Sequence, residues 1–268
     1  TIHDLWLARH PEYSRKLLGQ AGSSRRAIAT ANRARRVVTV SEFSAREIEA
    51  LYGIPRERVV VIHNGVTEEF SPVQDEQGMA VLRARWAIPS AGFILFVGGA
   101  DPRKNHRVFL QAVAQSRSQL GGRAILLVGD AEHPQGSYLA TARSLGLEQD
   151  VRCTGRLNRE DLCRLYSYAE VFVFPSLYEG FGMPVLEAMA CGAPTITSST
   201  SSLPEVAGDA ALLVNPEDAE ALGAAMVKVL SEQALRQQLR DRGFERARLF
   251  TWQRAALRTS ALYRELCA

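Results

Sequence analysis

Six short apolar runs punctuate the chain between residues 93 and 214: FILFV (93–97), AILLV (124–128), VRC (151–153), VFVF (171–174), PTIT (194–197) and ALLV (211–214). They are continuous rather than alternating, which is the pattern of strands covered on both faces of a parallel sheet. The stretches between them carry helix punctuation. Asp101 before Pro102 reads as an N-cap followed by proline at the first helical position, Pro184 opens a segment that Gly192 closes, and Pro216 opens an Ala- and Leu-rich helix. Strands that alternate with helices predict right-handed crossovers in one sheet, and six of them make a complete Rossmann-like domain.

Residues 1–70 show a shortened version of the same pattern. A basic helical stretch precedes the strand VVTV (37–40), the helix SAREIEALYG (44–53) and the strand RVVVI (58–62). One βαβ unit with a flanking helix is too little for a core of its own, so this region reads as the C-terminal part of a second α/β domain. The polar stretch TEEFSPVQDEQG (67–78) predicts the linker, with residues 71–90 as linker and connecting helix and 91–250 as the complete domain. In 251–268, Trp252, Ala256, Leu257, Leu262 and Tyr263 fall at helical spacing and predict a closing amphipathic helix. The expected fold class is α/β: a complete C-terminal Rossmann-like domain with a partial N-terminal one.

Composition narrows the class. With 46% hydrophobic and 23% charged residues in 268, the chain is of ordinary globular make-up, which excludes a disordered, collagenous or coiled-coil protein. No apolar run approaches the roughly 20 residues of a membrane-spanning helix. The start, TIHDLWLARHPEYSRK, lacks the layout of a signal peptide, and its first residue, Thr1, suggests a trimmed or partial chain. Cys153, Cys163, Cys191 and Cys267 show no CxxC spacing, so a reduced, cytoplasmic setting is expected. Charge is uneven. Arg9, Arg15, Lys16, Arg25, Arg26, Arg33, Arg35 and Arg36 face only Asp4 and Glu12 in residues 1–36, a local +6 that leaves −3 for the rest of a chain of net charge +3. Such a patch suits a phosphate-rich surface, or is a solvated helix face.

Two strand ends carry candidate chemistry, since open parallel sheets bind ligands beyond the carboxyl ends of their strands. After FILFV comes GGADPRKN: Gly98 and Gly99 allow close backbone approach, and a helix start bearing Arg103 and Lys104 predicts an anion site suited to a diphosphate. A capped surface helix with solvated cations would read the same way. After VFVF comes PSLYEGFGMPVLEAMACG, with Gly180 and Gly182 in the turn and Glu179 and Glu187 eight residues apart. Carboxylates accept hydrogen bonds from paired sugar hydroxyls well. Equally, Glu187 reads as an acid complementing a helix dipole and Glu179 as a solvated loop charge.

These segments together, PSLYEGFGMPVLEAMACGAPTITSSTSSLPEVAGDAALLVNPEDAEAL with VTVSEFSAREIEALYGIPRERVVVIHNGVTEEFSP, LFVGGADPRKN and GRLNREDLCRLYSYAEVFVFPS upstream and FTWQRAALRTSALYREL downstream, resemble the retaining glycosyltransferases of family 4, which have the GT-B fold. The Glu179 to Glu187 pair is their E-x7-E signature, and the likeness covers nearly the whole chain. The resemblance to bacterial mannosyltransferase-like members implies a nucleoside-diphosphate sugar donor, GDP- or UDP-linked, and a glycan or lipid-linked acceptor in cell-envelope or polysaccharide synthesis. It further implies that Glu187 binds ribose hydroxyls and that Glu179, with the amides of Gly180, Phe181 and Gly182, holds hydroxyls of the donor sugar. Arg103 and Lys104 would neutralise the diphosphate, Leu157 would offer its backbone to the base, and His3 would lie near the reaction centre. A core histidine is the alternative for His3.

Many members of the family have arginine directly after the strand glycine, where this chain has Gly99; the phosphate load then falls on Arg103 and Lys104. The glycine-rich first loop of a complete N-terminal domain is absent, so a parent protein about 100 residues longer is expected, and a closing helix that packs back toward the N-terminal domain. No Asp-x-Asp pair occurs, so no metal is expected to bridge the diphosphate. The basic N-terminal region is expected to touch anionic membrane peripherally, and no nucleic acid partner is expected. A nicotinamide-dependent oxidoreductase is disfavoured because GGADPR is not G-x-G-x-x-G. A non-catalytic sugar-nucleotide-binding subunit or fragment is the remaining alternative.

Overall fold

A computed structural model describes residues 1–10, 23–133 and 136–268. The small N-terminal unit holds α1 (Trp6–Arg9), α2 (Ser23–Arg33), β1 (Val37–Thr39), α3 (Glu42–Tyr52) and β2 (Val59–Val61). β1 and β2 pair in parallel, and Ile2 adds a bridge to Thr39 on the open side of β1. α3 is well specified locally: Ser41 caps its start by accepting from Ser44 N–H at 3.0 Å, and Gly53 closes it in the left-handed conformation. Its buried Ala45 and Ile48 join Leu5, Val37, Ile54, Val59 and Val61 in a small separate core, against the expectation that the unit is too short to have one, because residues before β1 such as Leu5 and Ala31 add to the βαβ unit.

The large unit follows α4 (Glu76–Arg85), with β3 (Phe93–Val97), α5 (His106–Ser116), β4 (Ala124–Val128), the two-residue strands β5 (Glu132–His133) and β6 (Gly136–Ser137), α6 (Tyr138–Ser144), β7 (Val151–Gly155) and α7 (Arg159–Tyr168). It continues through β8 (Val171–Phe174), α8 (Met183–Ala190), β9 (Thr195–Ser198), α9 (Leu203–Ala207), β10 (Ala211–Val214), α10 (Ala219–Ser231), α11 (Gln233–Arg248) and α12 (Trp252–Cys267). Its six strands lie in the order β10-β9-β8-β3-β4-β7, every neighbouring pair parallel. The apolar runs are continuous because alternate residues feed different cores. Phe93, Leu95, Phe172 and Phe174 enter the layer with α7, α8 and α9, while Ile94, Phe96, Val171 and Val173 enter the layer with α5, α6 and α10.

Three local expectations need correcting. After β3, Asp101 does cap a helical turn with Pro102 at its first position, accepting from Arg103 N–H at 2.9 Å, but that turn is not the start of α5. It is a 3₁₀ turn, Pro102–Lys104, ended by Asn105 at φ 61°, and α5 starts only at His106. The left-handed Asn105 turns the chain, so Arg103 and Lys104 precede the helix instead of lying in its first turn. Pro216 likewise stands outside α10, whose cap is Asp218. On α12 only Leu262 is buried; Trp252, Leu257 and Tyr263 are 47%, 64% and 63% exposed. The helix rests on Leu262 with Ala255, Thr259 and Leu266 half-buried, a stripe rotated away from the one that the aromatic positions suggest.

Candidate functional site

In sheet order the large unit reverses direction between β3 and β8, and in such sheets the crevice beyond the carboxyl ends at the reversal is where ligands bind. The two loops with candidate chemistry leave these two strands. They are bonded into one body. Leu177 N–H donates to the carbonyl of Arg103 at 2.8 Å, and Ser176 Oγ lies 2.9 Å from it. Asn105 Nδ2 donates to the carbonyls of Pro175 and Pro216 at 3.0 and 2.6 Å, tying the 3₁₀ turn to the ends of β8 and β10.

Within that body Lys104 Nζ meets Glu179 Oε1 at 2.6 Å, with the two side chains only 16% and 13% exposed. Ser176 Oγ lies 2.7 Å from the same Glu179 oxygen, so its single proton is shared between that carboxylate and the Arg103 carbonyl. The ammonium lies 5.1 Å from the Phe174 ring centre, and a Cβ on Gly98 would stand 3.0 Å from Lys104 Cγ, so the glycine leaves room for the lysine stem. Arg103 pairs with Asp101 at 2.8 Å and lies 5.8 Å from the ring centre of Trp6. Burial raises the Asp101 carboxyl, but the charge-assisted bonds from Arg103 outweigh it and leave it below the usual range.

His3 comes to this place through its backbone. A Cβ on Gly180 would lie 2.1 Å from the His3 carbonyl oxygen, so the first residues of the chain pack directly on the loop. The His3 side chain is exposed. Tyr178 seals the contact: its hydroxyl accepts from Leu5 N–H at 3.2 Å and its ring meets Trp6 and Phe43 at 5.5 and 5.3 Å.

Glu187, the fifth residue of α8, makes its contact elsewhere. Tyr166 Oη lies 3.5 Å from Glu187 Oε2, at the limit of a hydrogen bond, and burial pushes this carboxyl up to about 6. α7 brings Tyr166 there, and its cap Asn158 directly follows Leu157, a half-buried residue beyond the end of β7. The structure therefore brings Gly98, Arg103, Lys104, Glu179, Gly180 and the His3 backbone together beyond the ends of β3 and β8, while a Cβ on Gly99 would face the Asp130 backbone. It leaves Glu187 and Leu157 at separate positions on the same edge of the sheet. A cavity of about 750 Å³ lies away from all of them, between residues 66–72 and 244–253.

Sequence reading missed the hydroxyl groups that shape the loop. Ser202 Oγ lies 2.9 and 2.8 Å from the carbonyls of Glu179 and Phe181, which share its one proton, and Ser201 Oγ accepts from Glu179 N–H at 3.2 Å. The run Ser198-Ser199-Thr200-Ser201-Ser202 after a strand end was the available signal. Among the described residues no group of three or more His, Cys, Asp or Glu is arranged to hold a metal ion. Of the basic N-terminal patch, Arg9 pairs with Glu47, Arg36 with Glu265, and Arg35 donates to the Leu266 carbonyl; Arg15 and Lys16 lie outside the described residues. No helix among the described residues is long and apolar enough to cross a membrane.

Residues 81–246 match the family described as glycosyl transferases group 1, and residues 1–70 match Glycosyltransferase Family 4. The O-antigen chain mannosyltransferase B of Escherichia coli is 32% identical over 268 residues, covering 99% of this chain and 70% of that protein. The MMP alpha-(1->4)-mannosyltransferase of Mycolicibacterium hassiacum is 34% identical over 87% of this chain, which spans 54% of its length. The solved structure of Anabaena Alr3699/HepE in complex with UDP and glucose aligns with a TM-score of 0.81 at 21% identity, over 98% of this chain and 70% of that one. With both segments matched in order and the fold shared, the chain belongs to the group 1, family 4 glycosyltransferases and has their GT-B architecture.

Proposed function

We propose that this chain binds a nucleoside-diphosphate sugar in the crevice between β3 and β8, as part of a retaining glycosyltransferase that builds a cell-envelope or polysaccharide precursor. The observation that carries the reading is the Lys104–Glu179 pair, set with the Gly98-Gly99 turn at the reversal of the sheet. Lys104 has three donors, so it can keep Glu179 while giving another hydrogen to a phosphate oxygen. Arg103, pre-oriented by Asp101 and Trp6, supplies the second cation. Glu179 and the Gly180-Phe181-Gly182 amides hold hydroxyls of the donor sugar, Glu187 the ribose, and the Leu157 backbone the base. The exposed His3 side chain borders the transfer centre. The relatives named as mannosyltransferases favour a mannose donor.

In the transfer step the acceptor oxygen bonds to the anomeric carbon on the face from which the diphosphate departs. The bond from that carbon to the phosphate oxygen breaks, and the acceptor proton passes to a departing phosphate oxygen. The chain contributes charge: two cations fixed in advance stabilise the leaving diphosphate without reorganising. Thermal shift with a panel of UDP- and GDP-sugars tests the binding. A ligand at 100 times its dissociation constant adds about 2.7 kcal/mol, so one nucleotide class raises the melting temperature and the other does not. A flat response across the panel rejects the reading. Product NMR then reads the anomeric configuration, with retention expected and inversion contradicting it.

A further inference from the structure

The three carbonyls of the turn that carries Glu179 are held from two sides. Those of Glu179 and Phe181 share the hydroxyl proton of Ser202, which belongs to the large unit. The one between them, Gly180, accepts from Ser41 Oγ at 2.7 Å and Ser44 Oγ at 3.2 Å, both from the small unit. The shape of this turn therefore depends on the small unit being docked.

One carboxylate fixes that docking. Glu205 on α9 takes Glu42 N–H on Oε1 at 2.9 Å and Phe43 N–H on Oε2 at 3.2 Å, the first two amides of α3, which an isolated helix leaves unpaired. The same Oε1 is 2.7 Å from His63 Nε2, on the segment leading out of β2. Behind it, Arg246 donates to the carbonyls of Glu205 and Val206, so the short helix bearing the carboxylate is braced by α11. Ser41, the cap of α3, directly precedes the two amides that Glu205 holds.

We propose that Glu205 is a positioning residue: by clamping the start of α3 and His63 to α9, it keeps Ser41 on the Gly180 carbonyl and so couples docking of the small unit to the shape of the Glu179–Gly182 turn. The consequence for ligand rests on the donor-binding role of that turn; the coupling itself rests on geometry alone. If the units separate, Gly180 loses both hydroxyl donors and its peptide planes are free to turn. Whatever binds the formed turn then favours the docked state, and docking favours binding by the same factor.

Hydrogen–deuterium exchange on the whole chain tests the coupling, using Glu205→Gln, Ser41→Ala and the double variant, with UDP and GDP titrated in parallel. Each single change is expected to speed exchange in residues 176–182 about fivefold or more, with the strand peptides 93–97 and 124–128 unchanged as a check on folding. The double variant is expected to be no faster than the faster single one, because the two residues act through one contact. Exchange in 176–182 that ignores Glu205→Gln, or effects of the two changes that multiply, would overturn the proposal and leave Glu205 as a local brace. UDP or GDP affinity is expected to fall by a similar factor in both single variants. Should the unmodified chain bind neither nucleotide, the donor reading fails, while the exchange result still decides the coupling.

Discussion

At the scale of single residues, the candidate site is a set of charges paired at low exposure. Lys104 and Glu179 pair directly, and removing either takes the ion pair from its partner. Lys104→Ala is expected to cost about 2 kcal/mol of stability by denaturant unfolding, less than the ~3–5 kcal/mol of a fully buried pair, because Ser176 can still donate to Glu179. Glu187 presents the opposite problem. Burial lifts its carboxyl to about 6, so near neutral pH the fold carries an ionised group that it would hold more easily protonated. A carboxyl whose folded pKa is raised favours the fold below its unfolded value of about 4.3 and loses that benefit as pH rises through the folded value. Glu187→Gln is therefore expected to gain in relative stability as pH rises from 5 to 8, read from denaturation midpoints. On the role proposed for Glu187, in which ribose hydroxyls donate to its carboxylate, ligand binding follows the ionised form. Affinity for a sugar nucleotide, whose phosphates stay ionised throughout, is expected to rise from pH 5 to 7 and to lose that slope in Glu187→Gln. The loss caused by Glu187→Ala should also shrink with a 2′,3′-dideoxy nucleotide; an undiminished loss would move Glu187 to a structural role.

At the scale of elements, the turns matter more than the helices they precede. The strands were legible because a sheet covered on both faces needs unbroken apolar runs, and FILFV, AILLV, VFVF and ALLV each became the strand that the pattern predicts. The cap at Asp101 is legible in the PRKN turn, but its break from α5 is not, because Asn105 in an αL conformation looks, in sequence, like any polar residue in the first turn of a helix. Its two buried bonds to the Pro175 and Pro216 carbonyls are long-range and leave no local trace. Asn105→Gly keeps the backbone conformation and removes only those bonds, so a loss of about 2 kcal/mol is expected in urea unfolding. Asn105→Asp sets a carboxylate against two carbonyl oxygens and is expected to lose more. Equal stability of the Asn105→Gly variant and the parent would show that the anchoring bonds contribute nothing net.

At the scale of the whole molecule, the two units touch through backbone beside the Glu179 turn. Gly180 and His3 approach so closely that Gly180→Ala forces the two segments apart, with no flexible side chain to give way. That variant is expected to fold its large sheet, as judged by exchange protection of 93–97, while residues 1–5 and 41–45 lose protection together. The family was legible from motifs in order along the chain, as was the sheet edge where the candidate residues collect. The coupling across the units was not, because a carboxylate such as Glu205 and the hydroxyls of Ser41, Ser44 and Ser202 signal nothing until the fold has brought them together.

The central claim is that Lys104, with Arg103, reads the diphosphate of a sugar nucleotide at the reversal of the sheet. Calorimetric titration of the sugar nucleotide found by thermal shift, and of its bare nucleoside, into the unmodified chain and Lys104→Ala tests it most directly. The account predicts that the sugar nucleotide loses about tenfold in affinity or more, at least ~1.4 kcal/mol, while the nucleoside is nearly unaffected. Equal losses for the two ligands would contradict it.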